Sequence, residues 1–323
     1  MRRALWAVSV VVGVCSVSVL GCGGQGGPAV PAEGRYLAFY SDRSGGAGGK
    51  DVYLYDRQVG ALVALPGLNT EWTDEGPHLD GQGRYVAYYY SGPPTGGRVR
   101  VYDRQTQGQS GLPVLIAVPG DCFPSISSNG RYIAFLSDRP GGAGGWDIYL
   151  YDRQSSSLLP TPGLNSASDD LHPSNSGDGR YVAFYSERPG GVGGADVYLY
   201  DRQSSSLLPT ATLNSTADDE DPSITADGRY IAFGSPRAGG VGADDIYLYD
   251  VNAQSLVALP GLNSASDDWY PSISRNGRYV AFMSSRPGGA GGFDIYLYDR
   301  QSSSLVPLPG LNSVQDDGSP GLN

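Results

Sequence analysis

Apolar positions along this chain come in short runs that never lengthen into a helical stripe. Residues 271–309 read PSIS, the pair Asn276-Gly277, RYVAFMS, a glycine-rich stretch, DIYLYD, a polar turn and SLVPLP. Short runs rich in β-branched and aromatic residues, bounded by Gly, Asn, Asp and Pro, predict four strands in this unit. The second and third runs are apolar on both faces, as strands covered on each side by neighbouring sheets must be, so they belong in the middle. The fourth run holds Pro160, Pro209 or Pro307 in its copies, and proline is tolerated in a sheet mainly at an edge, which predicts an outer rim. The first, Pro-Ser-Ile-Ser, is small and mostly polar and suits an innermost strand lining a polar channel. Asn276-Gly277, Asp227-Gly228 and Asp178-Gly179 predict two-residue type I′ hairpins between first and second strands.

The unit recurs. Gly-Arg-Tyr begins at Gly34, Gly83, Gly130, Gly179, Gly228 and Gly277, with spacings of 49, 47, 49, 49 and 49 residues. That period predicts one four-stranded propeller blade per unit, and hence an all-β, six-bladed β-propeller of antiparallel blades. The first strand has one candidate too many. Residues 320–323, led in by Asp317-Gly318-Ser319, are expected to complete the first blade and close the ring, with Pro28 to Val30 as the alternative.

The first residues follow a different rule. MRRALWAVSVVVGVCSVSVLGC has a basic start, an apolar stretch and a small residue before a cysteine, the layout of a secretory signal. Val19-Leu20-Gly21-Cys22 resembles the lipobox of bacterial lipoproteins. The expected organisation is therefore a signal peptide over 1–21, a lipidated Cys22 with a Gly-rich tether over 22–33, and the propeller over 34–323. Such a protein is exported and held at the cell envelope through its lipid, periplasmic or surface-facing, at the outer membrane in a cell with two membranes. Gly (48 residues), Pro (23) and Tyr (23) dominate where helix formers would be needed for a helical domain. The formal net charge of -11 repels phosphate backbones, which argues against a nucleic-acid partner. With Cys15 and Cys22 in the leader region, Cys122 is the only thiol of the folded part, which excludes an internal disulfide.

The repeated pattern P-S-I-S-x-D/N-G-R-Y-I-A-F-x-S-x-R-x-G-G…D-I-Y-L-Y-D resembles the WD-like propeller repeat of the TolB family over residues 28–323. Two departures stand out. The resemblance implies an α/β domain ahead of the propeller, for which residues 23–34 leave no room, and the family's first-strand Trp is replaced by Ile126, Asn175, Ile224 and Ile273.

Tight turns at one end of each blade place all long loops on the opposite face, where recognition is expected. An acidic residue stands three before each first-strand Pro: Asp74, Asp121, Asp170, Asp219, Asp268 and Asp317. Such a ring can hold Ca²⁺ or a basic partner. Arg43, Arg139, Arg188, Arg237 and Arg286 recur in register with it, so Asp–Arg pairing that fixes the loops is the favoured reading, and no cofactor is expected. Trp72, Trp146, Trp269 and Tyr270 are candidates for stacking on a sugar or peptide, or for packing between blades. The glycine runs GGAGG and GGVGG lack the Lys-Ser/Thr and helix of a phosphate cradle and read as flexible loops. His78 and His172 are too few for a metal centre, which the resemblance to oligogalacturonate lyases would require, and no G-x-S-x-G nucleophile elbow is present. These readings predict a monomeric, non-catalytic envelope protein that binds a protein, peptide or glycan through its long-loop face. A polysaccharide lyase or hydrolase is the alternative.

Overall fold

The computed structural model describes residues 33–93, 96–110, 112 and 120–323. The expected signal peptide, Cys22, the tether as far as residue 32 and Pro28–Val30 lie outside them. Six four-stranded antiparallel sheets follow one another around an axis, and each runs from an inner strand at the axis to a short outer strand. The first blade takes its inner strand, Asp317–Leu322, from the C-terminus, paired with Tyr36–Ser41. Asn323 then locks the ring. Its side-chain oxygen accepts from the Tyr36 amide at 2.7 Å and its carbonyl from the Gly34 amide at 2.8 Å.

The middle strands of every blade are buried on both faces, Tyr279–Ser284 along its whole length. Between blades lie separate apolar clusters, such as Ala38, Leu54, Leu68, Val86 and Tyr88 between the first and second. Gly-Arg-Tyr turns out to be the joint that holds blade to blade. Its Gly adopts a positive φ (69° at Gly34, 74° at Gly228) and is pressed by the Tyr of the preceding blade, leaving no room for a Cβ. Its Arg donates to the Asp that ends the third strand, as Arg131 does to Asp152 at 2.9 and 2.7 Å. Its Tyr is covered by that Arg and by a second one from the next blade: Arg131 and Arg202 lie 4.8 and 4.4 Å from the Tyr132 ring centre.

Three local expectations need correction. In the turns before Gly-Arg-Tyr only the glycine has φ > 0, so these are not type I′ hairpins. Gly277 donates its amide to the Ser274 carbonyl at 2.8 Å, and the Asn276 side chain ties the turn by accepting from the Ser274 hydroxyl and the Arg278 amide. The outer strands are only two or three residues long, and Pro160, Pro209 and Pro307 follow them rather than sit inside them. The glycine-rich loops are tied down. Asp196 at the start of a third strand accepts from the Val192 amide at 2.8 Å, and Asp245 accepts from Val241 at 2.6 Å, so the loop amides cradle the chain's own carboxylate.

Candidate functional site

Both sets of long loops do share one face, joined by backbone bonds such as Asp170 N–H to the Trp146 carbonyl at 2.9 Å. The six aspartates Asp74, Asp121, Asp170, Asp219, Asp268 and Asp317 are completely buried at the feet of these loops. Arg43 meets Asp317 and Arg286 meets Asp268, each at 2.6 Å; Arg139 meets Asp121 at 2.7 Å and Arg237 meets Asp219 at 2.5 Å. Arg188 pairs with Asp170 in the same way. Each guanidinium is also wedged against two rings, as Arg139 is against Phe135 and Tyr149 at 5.1 and 4.6 Å. These ten residues act as loop anchors. The second blade departs from the scheme: Asp74 pairs across the strands with Tyr90, Gly92 stands at the position that the other blades give to the arginine, and one Asp74 oxygen has no hydrogen-bond partner. Burial raises the Asp74 carboxyl, and Arg100, standing where other blades have Tyr, supplies the compensating positive field.

The ligand-facing residues lie nearer the axis. In all six inner strands one extra residue forms a β-bulge immediately before the proline, which can sit there because it has no N–H to pair. The bulged residue has φ > 0 in every blade: Gly76 (57°), Phe123 (46°), His172 (44°), Asp221 (52°), Tyr270 (49°) and Ser319 (49°). A left-handed backbone costs non-glycine residues about 1 kcal/mol or more each. Those six residues line a cavity of about 100 Å³ on the propeller axis, so the bulge aims them at its mouth. Neighbouring repeats share long identical runs such as YDRQSSSL, yet this one position holds six different residues. Column-by-column comparison of the repeats is the signal that finds it.

His172 organises the mouth. Its Nδ1 contacts Asp221, its ring stacks on Phe123 at 4.3 Å and faces Tyr270 at 6.3 Å, and Tyr185 meets it edge-on at 5.3 Å. Beside it opens a cleft of about 510 Å³, which shares Asp221 and Tyr270 with the axial cavity. Tyr40 and the Trp269–Phe293 pair, 5.3 Å apart, give it flat walls. Asp42, Asp218, Glu220, Asp244 and Asp316 supply carboxylates. The lone lysine of the cleft, Lys50, is engaged by Glu75 at 3.0 Å and lies over Tyr40 at 4.4 Å. Glu220 titrates above the usual carboxylate range, first because it is buried and then because Asp221 and Asp218 repel its charge. Tyr270 is raised by burial first and then by Asp221. Of the expected stacking residues, Trp269 and Tyr270 reach this cleft. Trp146 packs between the third and fourth blades, and Trp72 stays exposed on the loop face. Among the described residues no three His, Cys, Asp or Glu side chains converge to hold a metal ion.

The geometry defines a class: a six-bladed propeller closed by its C-terminal inner strand, with an asymmetric acidic and aromatic mouth on the long-loop face. No known protein-family pattern matches the sequence, and no curated protein resembles it. Solved structures do share the fold, and it is TolB-like. TolB from Acinetobacter baumannii superposes with a TM-score of 0.66 at 18% identity, over 89% of this chain and 66% of that one. A putative TolB from Agrobacterium tumefaciens gives 0.60 at 19% identity, over 85% and 88%. An oligogalacturonate lyase in complex with manganese gives 0.54 at 15% identity, over 84% and 73%. The lyase corrects the expectation that this chain is not an enzyme. Propellers of this fold include enzymes, so the fold gives no ground for excluding catalysis.

Proposed function

We propose that the protein is a cell-envelope lipoprotein, exported and anchored through Cys22, whose propeller captures an extended, positively charged segment of an envelope protein at the mouth of its axial cavity. The observation that carries this reading is the 510 Å³ cleft, where carboxylates stand over aromatic walls and its only lysine is already engaged. A Lys or Arg side chain entering there gains charge-assisted bonds from Glu220 and Asp218 and ring contact with Trp269 or Tyr270. The narrow axial cavity next to it admits a side chain rather than a folded domain. An extended segment therefore fits better than a flat surface.

Calorimetric titration of the full-length protein with a lysine- and arginine-bearing peptide, and with the same peptide carrying Glu at those positions, tests the reading. The cationic peptide is expected to bind at least about tenfold more tightly, with affinity falling as salt rises, and Glu220→Gln with Asp218→Asn to remove most of the difference. Equal affinity for the two peptides would refute it.

A further inference from the structure

The charges of the propeller are sorted by face. The tight-turn face carries twelve arginines against ten carboxylates, whereas the long-loop face carries eight cations against twenty-three carboxylates. The narrow face is also where cationic groups lack carboxylate partners. Arg57, Arg153 and Arg300 each donate to a glycine carbonyl at 2.5 Å, and Arg202 does so at 3.0 Å. Arg104 does the same with Gly83. All five lie over tyrosine rings of the preceding blade, 4.0 to 4.4 Å from the ring centres, part-exposed and in no ion pair among the described residues. The chain enters the propeller on this same face, since Gly34, just ahead of Tyr36–Ser41, donates its amide to the carbonyl of Asn323 at the end of the C-terminal inner strand. Residues 22–33 span at most roughly 40 Å even when fully extended.

We infer that the narrow face lies against the membrane, its arginines meeting anionic lipid headgroups, while the acidic mouth points away from the bilayer. This goes beyond the binding reading and rests only on the anchoring of Cys22 proposed above. An anionic surface attracts one face and repels the other within a Debye length of about 10 Å. A tether that enters on the attracted face keeps it within roughly 40 Å of the bilayer, so this face repeatedly samples that range and is drawn in.

Acylated full-length protein on vesicles decides the matter. Single cysteines at Gln203→Cys (narrow face) and Val241→Cys (long-loop face) carry a fluorophore, and nitroxide headgroup lipids quench it. Cys122 is expected to stay unlabelled, because burial, and then Asp121 and Asp138, push its thiol up to about 12, and unsubstituted protein carried through the same labelling checks this. Position 203 is expected to be quenched about threefold more than position 241 on phosphatidylglycerol-containing vesicles, with the ratio collapsing in high salt. Equal quenching at the two positions, or a ratio unaffected by phosphatidylglycerol and salt, overturns the inference. Flotation with pure phosphatidylcholine vesicles reads the anchor separately. Protein that floats only with phosphatidylglycerol, with position 203 quenched, supports the face and overturns the anchor, while protein that floats with neither overturns both.

Discussion

His78 replaces, in the second blade, a serine that links neighbouring inner strands elsewhere. Ser125, Ser174, Ser223 and Ser272 accept the amides of Asn175, Ile224, Ile273 and Leu322 at 2.9 to 3.1 Å, and His78 Nδ1 accepts the Ile126 amide at 3.3 Å. Accepting that bond requires an unprotonated Nδ1, and burial pushes the imidazole down from 6.5 to about 4. The unfolded chain therefore takes up a proton as pH falls below 6.5, while the folded protein declines it until about 4. The stability held by neutral His78 is present above 6.5 and lost through that window. A tenfold difference in proton affinity between the folded and unfolded chain corresponds to about 1.4 kcal/mol, so the full loss is about 3 kcal/mol, of which about 2 kcal/mol has gone by pH 5. His78→Ser restores the acceptor of the other blades without a titrating group. Urea midpoints of wild type and His78→Ser, measured from pH 7 to pH 5, are expected to diverge as pH falls, with the variant gaining about 2 kcal/mol relative to wild type at pH 5. Carboxylate titration is common to both proteins and cancels. Parallel stability curves over that range would refute the reasoning.

Other perturbations probe other joints. Arg139→Ala leaves the fully buried Asp121 unpaired and is expected to cost about 3–5 kcal/mol in chemical denaturation, whereas Arg131→Ala, whose side chain is 40% exposed, costs far less because water replaces it. Similar losses for the two would show that the buried pairing is not what anchors the loops. Val251 stands where the other clasps have arginine, so Tyr181 keeps only Arg180, at 4.7 Å. Val251→Arg should raise stability by about 0.5–1 kcal/mol, and a lower melting temperature would argue against the clasp. Maleimide labelling of Cys122 at pH 8 should be far slower in the native protein than in denaturant, and equal rates would contradict the raised thiol.

Much of the architecture is legible in the sequence because it depends on periodicity. Six Gly-Arg-Tyr copies announce six blades, two-sided apolar runs announce central strands, and the surplus Asp-Gly-Ser-Pro at the end announces ring closure. Asp–Arg loop anchoring is also readable, since two charged residues recurring in register on one face have few alternatives to each other. The turn type is not, because the dipeptide Asn-Gly suggests that Asn276 contributes a backbone conformation. It acts instead through its side-chain oxygen, which the dipeptide does not reveal.

Apart from Trp269 and Tyr270, the mouth escapes the sequence for a different reason. A pattern search rewards what repeats, and the position before the inner-strand proline is defined by failing to repeat. Structural constraint there falls on the backbone: the bulge and the positive φ recur in all six blades, which leaves the side chain free to differ. Copies that share the same left-handed backbone at the same place, yet fill it with Gly, Phe, His, Asp, Tyr and Ser, have separated support from recognition. The frame fixes where each side chain points, and the sequence at that one position decides what the site can bind. If so, exchanging Asp221 and Ser319 should leave the melting temperature within about 1 °C, since both backbones are already left-handed, while moving the cationic preference of the cleft away from His172. A large drop in stability on that exchange would mean that the His172–Asp221 contact is part of the frame after all.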